Sequence, residues 1–182
     1  RQTACDTHKE KYKRLYDLVK RNKTGIIYCS TRKKVEQVYE ALSDLGLSVT
    51  AYHAGMTDAQ REEAQNAFMN RQADIVIATN AFGMGIDRAD VRFVAHFEIP
   101  GSVEAFYQEA GRAGRDGRDA YCELLFNHAD LRTQEFFIEG VNPGVPLIVE
   151  LYELLRKHCS AESHEVSWTL EEMAERLSLI HI

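Results

Sequence analysis

Arg112 and Arg115, in the run Gly111-Arg112-Ala113-Gly114-Arg115, are the residues of this 182-residue chain whose type and spacing point most directly to chemistry. A guanidinium is always charged and carries its donors in a fork that matches phosphate oxygens. Two of them three residues apart lie on one side of a helical turn. A site that stabilises charge on a transferring phosphoryl group needs such groups. In isolation the same run also reads as an exposed Arg-Gly turn making surface ion pairs.

The elements that must position these arginines can be read upstream. Residues 74–78 form a short β-branched run, a loop containing Gly83 and Gly85 follows, and residues 93–97 are a second apolar run, so the order is strand, loop, strand. Ser102 stands where a helix N-cap belongs, residues 105–110 continue as helix, and the glycine-arginine alternation ends it. Glycines at 83 and 85 let backbone amides approach a ligand closely.

ATNAFGMGID (residues 78–87) followed by QEAGRAGRDG (residues 108–117) resembles motifs V and VI of superfamily 2 helicases, and in wording those of the RecQ family. The resemblance runs from about residue 25 to residue 127. It implies the second RecA-like domain of an ATP-dependent DNA helicase that unwinds 3'-to-5'. On that resemblance Arg115 is the arginine finger, Arg112 assists on the phosphates, Gln108 couples the nucleotide and DNA sites, and Gly85 and Asp87 lie on the ATP side. Thr79 is expected to donate to a nucleic-acid phosphate.

The rest of the chain fits a mostly parallel α/β sheet with helices on both faces. Residues 7–22 read as a helix with Tyr12, Leu15, Tyr16, Leu18 and Val19 inward and basic residues outward. Residues 26–29 are the first buried strand. Ser30, Thr31 and Arg32 then lead into a helix, and hydroxyls at a helix start after a parallel strand are a usual place for phosphate contacts. Plain capping by Ser30 or Thr31 is the alternative. The resemblance to motif IV favours phosphate contact at Thr31 and Arg32. Residues 47–52 form the next strand, ending in His53-Ala54-Gly55-Met56, a stretch that in the family lies near the nucleic-acid backbone. His53 also reads as a strand-end residue bonded to its own loop. Thr57 to Gln60 is a capping box opening a helix to about residue 70, and residues 121–126 are a further strand.

After residue 127 the pattern becomes helical, over residues 129–138, 146–158 and 169–179, with a linker at Asn142-Pro143-Gly144-Val145-Pro146. The division expected is a RecA-like domain over 1–140 and a helical extension over 141–182. That extension could begin a winged-helix or accessory domain.

Composition is that of a soluble globular protein, 45% hydrophobic and 27% charged, with no membrane-length apolar run or signal-peptide pattern. A cytoplasmic, nucleoid-associated protein is the expectation. The net charge of -6 is segregated: residues 1–34 hold eleven basic and three acidic side chains, a net of +8 that leaves -14 for the remainder. Cys5, Cys29, Cys122 and Cys159 are scattered without a CxxC pair, so no zinc site is expected.

There is no G-x-x-x-x-G-K-[ST] loop and no DExH-type acidic motif. The resemblance places both in a first RecA-like domain that would precede Arg1 and would hold most of the Mg2+ of an ATP-Mg2+ cofactor. The expected partners are that domain, single-stranded DNA and duplex junctions, with no membrane. Alone, this chain should not hydrolyse ATP. An RNA helicase or translocase, or an inert RecA-like scaffold, are the alternatives.

Overall fold

The computed structural model describes residues 2–5, 7–83, 86–141, 145–159, 168, 169 and 172. It falls into two compact units, residues 1–134 and 135–182. In the first, β1 (Gln2–Ala4), β2 (Gly25–Tyr28), β3 (Val49–Tyr52), β4 (Ile75–Ala78), β5 (Phe93–His96) and β6 (Tyr121–Phe126) form one sheet in the order β1-β6-β5-β2-β4-β3. Every pairing in it is parallel.

The core strands are apolar at successive positions because both faces are covered. Ile27, Ile77, Ala95 and Phe97 face α1 (His8–Asn22) and α2 (Arg32–Ser43), packing on Leu15, Leu18, Val35 and Val38. On the other face Ile26, Tyr28, Val76 and Val94 meet Phe68 of α3 (Asp58–Met69) together with Phe82, Ile86 and Val91. Those last three belong to the connection between β4 and β5, which crosses β2. The described residues between 79 and 92 thus cover sheet face without regular structure, where a crossover helix usually lies.

Helix boundaries follow capping chemistry. Thr7 and Thr57 each close a reciprocal box, with Glu10 and Gln60, and Thr31 and Ser102 accept from the backbone N–H groups of Lys34 and Ala105. Two expectations for α1 need correction. Tyr16 is only half-buried and carries the Lys20 ammonium 5.0 Å from its ring centroid. Lys11, on the basic side of the composition, is fully buried. Its Nζ donates to Phe97 O at 2.7 Å and to Asp130 Oδ2 at 2.5 Å, which supplies the pairing a buried ammonium requires.

α4 (Val103–Ala110) precedes β6, and α5 (Ala129–Val141) follows it. In the second unit α6 (Val145–His158) exposes Val145, Ile148, Val149 and Tyr152 on one side and gathers Arg156, Lys157 and His158 in its last turn. Thr169 Oγ1 accepts from Glu172 N–H at 3.2 Å and Glu172 Oε2 accepts from Thr169 N–H at 2.8 Å, the two halves of a capping box. The remainder of the expected 169–179 helix lies outside the described residues. Among the described residues no helix is long and apolar enough to cross a membrane.

Candidate nucleotide and nucleic-acid site

Strand register decides what can meet. Tyr28, Tyr52, Ala78 and His96 stand in one row at the carboxyl ends of β2, β3, β4 and β5. The residues just beyond them, Ser30, His53, Thr79 and Glu98, therefore share one edge, where open parallel sheets place their ligands.

At this edge local bonds hold the loops. Ser30 N–H donates to Glu98 Oε2 at 2.9 Å and Ser30 Oγ to Ile99 O at 3.2 Å. Gln134 Nε2 donates to the same Ile99 carbonyl. Thr31 Oγ1 is the N-cap of α2, so its oxygen accepts from Lys34 N–H at 3.2 Å while its O–H can still donate outward. Arg32 is exposed and lies across Gly55, where an added Cβ would sit 3.1 Å from Arg32 Cδ and from His53 Nδ1. His53 is buried: Nδ1 accepts from Gly55 N–H at 3.1 Å, which makes Nε2 the protonated nitrogen that donates to Glu36 Oε1 at 2.6 Å. Its geometry is that of a strand-end residue tying its loop to α2. Thr79 is 8% exposed, its N–H bonded to Tyr52 O and its carbonyl to Phe82 N–H.

The arginines lie on the face covered by residues 79–92. They are not in α4, which ends at Ala110, but in the tight turns that follow it. Gly114 takes φ 68°, and an added Cβ there would stand 2.8 Å from Arg118 O, so these turns need glycine. Arg112 Nη1 donates to Gly83 O at 2.6 Å and Arg115 Nη1 to Ile86 O at 3.1 Å. The three-residue spacing of the arginines is matched by the spacing of their acceptors. Asp87 Oδ1 lies 3.3 Å from Arg115 Nη1, with Asp87 86% and Arg115 40% exposed. Arg112 Nε is buried without a hydrogen-bond partner. Arg115, the more exposed of the two, keeps further N–H donors that fit a polyanion. Burial pushes the Tyr28 hydroxyl up, against the nearby Arg112 charge, so it stays protonated and donates to Phe82 O at 3.2 Å.

Gln108 is on the exposed side of α4, and its side chain makes no hydrogen bond among the described residues. Gly85 lies outside the described residues. Glu109, next to Gln108 in α4, is a residue that motif wording alone does not single out. It is buried, and accepts from His96 Nε2–H at 2.8 Å, pinning α4 to β5 just before the arginines. Helical spacing could have found it, because Glu109 falls three and four residues after Phe106 and Ala105 on the inward side. Glu98, which occupies the Ser30 amide, carried no such signal.

A parallel RecA-like sheet with ligand loops at its carboxyl edge and paired arginines behind a crossing strap defines the second-domain class of superfamily 2 motors. Residues 10–117 match the family model described as the helicase conserved C-terminal domain. The chain is 49% identical over 129 residues to the ATP-dependent DNA helicase RecQ of Haemophilus influenzae, covering 68% of this chain and 21% of that protein. It is 46% identical over 119 residues to the protein of the same name from Bacillus subtilis, covering 65% and 20%. Among solved structures, a DEAD box protein from Methanococcus jannaschii superposes with a TM-score of 0.63 at 25% identity, covering 76% of this chain and 38% of that one. The chain belongs to the helicase conserved C-terminal domain family, in its RecQ branch. It spans about a fifth of the length of these curated relatives.

Proposed function

We propose that this chain is the second motor domain of an ATP-dependent DNA helicase, closing one wall of a nucleotide cleft and carrying half of a single-strand track. The observation that carries this is the matched seating of Arg112 and Arg115 on Gly83 O and Ile86 O, with Asp87 against Arg115. When bound, ATP with Mg2+ supplies the phosphoryl group and the metal charge, the metal being held mainly by a first RecA-like domain.

In this reading Arg115 aims its guanidinium at the charge that develops on phosphoryl transfer, and Arg112 assists on the phosphates. Asp87 limits the rotation of Arg115. Arginine groups supplied in this way contribute about 10³ to 10⁵ in turnover. Thr31, Arg32 and Thr79 hold the nucleic-acid backbone at the carboxyl edge, while His53 and Gly55 shape the loop beside Arg32. Such contacts go to phosphates and are sequence-tolerant and salt-sensitive. Gln108, exposed on α4, is free to contact the first domain or the nucleotide when the cleft closes.

The test is DNA-stimulated ATPase of the complete natural chain, wild type beside Arg115→Ala, with nucleotide and DNA affinities measured separately. Turnover is expected to collapse while both ligands still bind. Unchanged turnover would remove the arginine-finger assignment and favour a differently built ATPase in which this domain serves as a scaffold. Stimulation by RNA rather than DNA would favour an RNA motor.

A further inference from the structure

Helix α1 divides its basic residues into two sets. Lys11 and Arg14 turn inward and are paired, Lys11 with Asp130 and Arg14 with Glu123, the latter through Nε at 2.8 Å and Nη2 at 3.0 Å. With Leu15, Leu18 and Val19 these bonds fix the rotation of the helix against β5 and β6. At about 100° per residue, Lys9, Lys13, Tyr16 and Lys20 then fall within one narrow stripe on the opposite side.

Lys9, Lys13 and Lys20 are exposed, and among the described residues none of them makes an ion pair. Arg21 and Lys23 extend the charge at the end of the helix, both exposed. Of the nearby acids, Glu10 is engaged by the Thr7 cap and Asp17 flanks the stripe about 60° away. Lys9 to Lys20 spans roughly 16 Å of straight helix. A chain of net -6 that gathers +8 in its first 34 residues presents here an isolated positive surface. It is carried by α1, over β5 and β6, whereas Arg32 opens α2 and His53 follows β3.

We propose that this stripe is a second nucleic-acid surface, one that takes the sugar-phosphate backbone of a duplex. Duplex is favoured over single strand by the chemistry of the stripe. Single-strand surfaces combine basic side chains with open aromatic faces for stacking, and the one aromatic here, Tyr16, has the Lys20 ammonium 5.0 Å over its ring. What remains is a rigid row of point charges, suited to positioning a backbone without reading bases. The proposal rests on the reading of this chain as part of a nucleic-acid motor, but binding, not turnover, tests it.

Equilibrium binding of this chain to a short labelled duplex and to a single strand of the same sequence is measured across a salt series. Wild type is compared with the triple variant Lys9→Gln, Lys13→Gln, Lys20→Gln and with the matching triple arginine variant. Each phosphate contact on B-form DNA contributes about -0.9 to the slope of log K against log salt. The glutamine variant is expected to flatten the duplex slope by about two to three while leaving the single-strand slope in place, and the arginine variant to keep the wild-type slope. All substituted side chains are exposed, so unfolding does not confuse the result. An unchanged duplex slope, an equal loss on single strand, or binding of an acidic polypeptide in place of duplex would overturn the proposal. Failure of the motor reading is separately visible as unchanged turnover in Arg115→Ala.

Discussion

Arg112 and Gly83 fit together so closely that no side chain can stand between them: Nη1 donates to Gly83 O at 2.6 Å, and a Cβ on Gly83 would fall 2.2 Å from Nη2. Gly83→Ala therefore evicts the guanidinium from its seat and leaves the buried contacts of Phe82 and Ile86 in place. A catalytic group misplaced by an ångström costs about 10² in rate. ATPase of the complete chain carrying Gly83→Ala is expected to fall by about that factor, and Arg112→Ala, which leaves the backbone unstrained, should lose a comparable factor. Full activity would show that Arg112 does not act from this seat.

Lys11 and Asp130 are the most deeply buried opposite charges described, 0% and 3% exposed in their side chains. Asp130 also accepts from Asn127 N–H at 3.0 Å. Asp130→Ala strands an ammonium in the core and is expected to cost about 3–5 kcal/mol in urea unfolding. The double change Lys11→Met with Asp130→Leu should cost far less, since apolar replacements of a buried pair are often neutral. Equal losses in the single and double variants would refute the burial argument.

Asp90 gives a pH dependence. Partial burial pushes its carboxyl up, but the hydrogen bond and charge of Arg88, with Arg71 beyond, outweigh that and hold it below its ordinary value of 3.8. Arg88 is itself anchored, Nη1 donating to Phe68 O and Ala73 O at 2.6 and 2.9 Å. A carboxyl with a depressed folded pKa stabilises the fold above its unfolded pKa, and that share is lost as pH falls through the folded value. Asp90→Asn is expected to be less stable than wild type at pH 7, by under about 1 kcal/mol because Asp90 is partly solvated. The gap should close on acidification below the ordinary carboxylate range. A gap that persists in acid would assign the effect to packing.

Much of the fold was legible because apolar runs and capping residues are local signals. The strand at 121–126 and the caps at Thr57 and Ser102 coincide with what the sequence implied. β1 was not, since three residues with an alternating exposed pattern become a strand only by pairing with β6, more than 100 residues away. Lys11 was misassigned to solvent for the same reason: its partner Asp130 and the Phe97 carbonyl are contacts made in three dimensions. Of the site, the paired arginines and Asp87 could be read from glycine spacing and motif wording. Helical spacing puts Glu109 on the inward side of α4, but its bond to His96 and the Glu98 carboxylate on Ser30 could not be read, because nothing local in an acidic residue names its partner.

The strap of residues 79–92 also sets a distance. Thr79 and Gly83, the carbonyl that seats Arg112, are four residues apart on one stretch of chain, so they lie within about 14 Å however the strap is bent. Phe82, at 1% exposure, anchors the interval between them to the sheet. The carboxyl edge and the arginine seat are thus joined by covalent bonds, like two points on a short belt with one rivet between them. Communication between the two sides of the domain then needs no relay through the packed interior, and lengthening the belt by inserted glycines would slacken it while leaving every side chain in place.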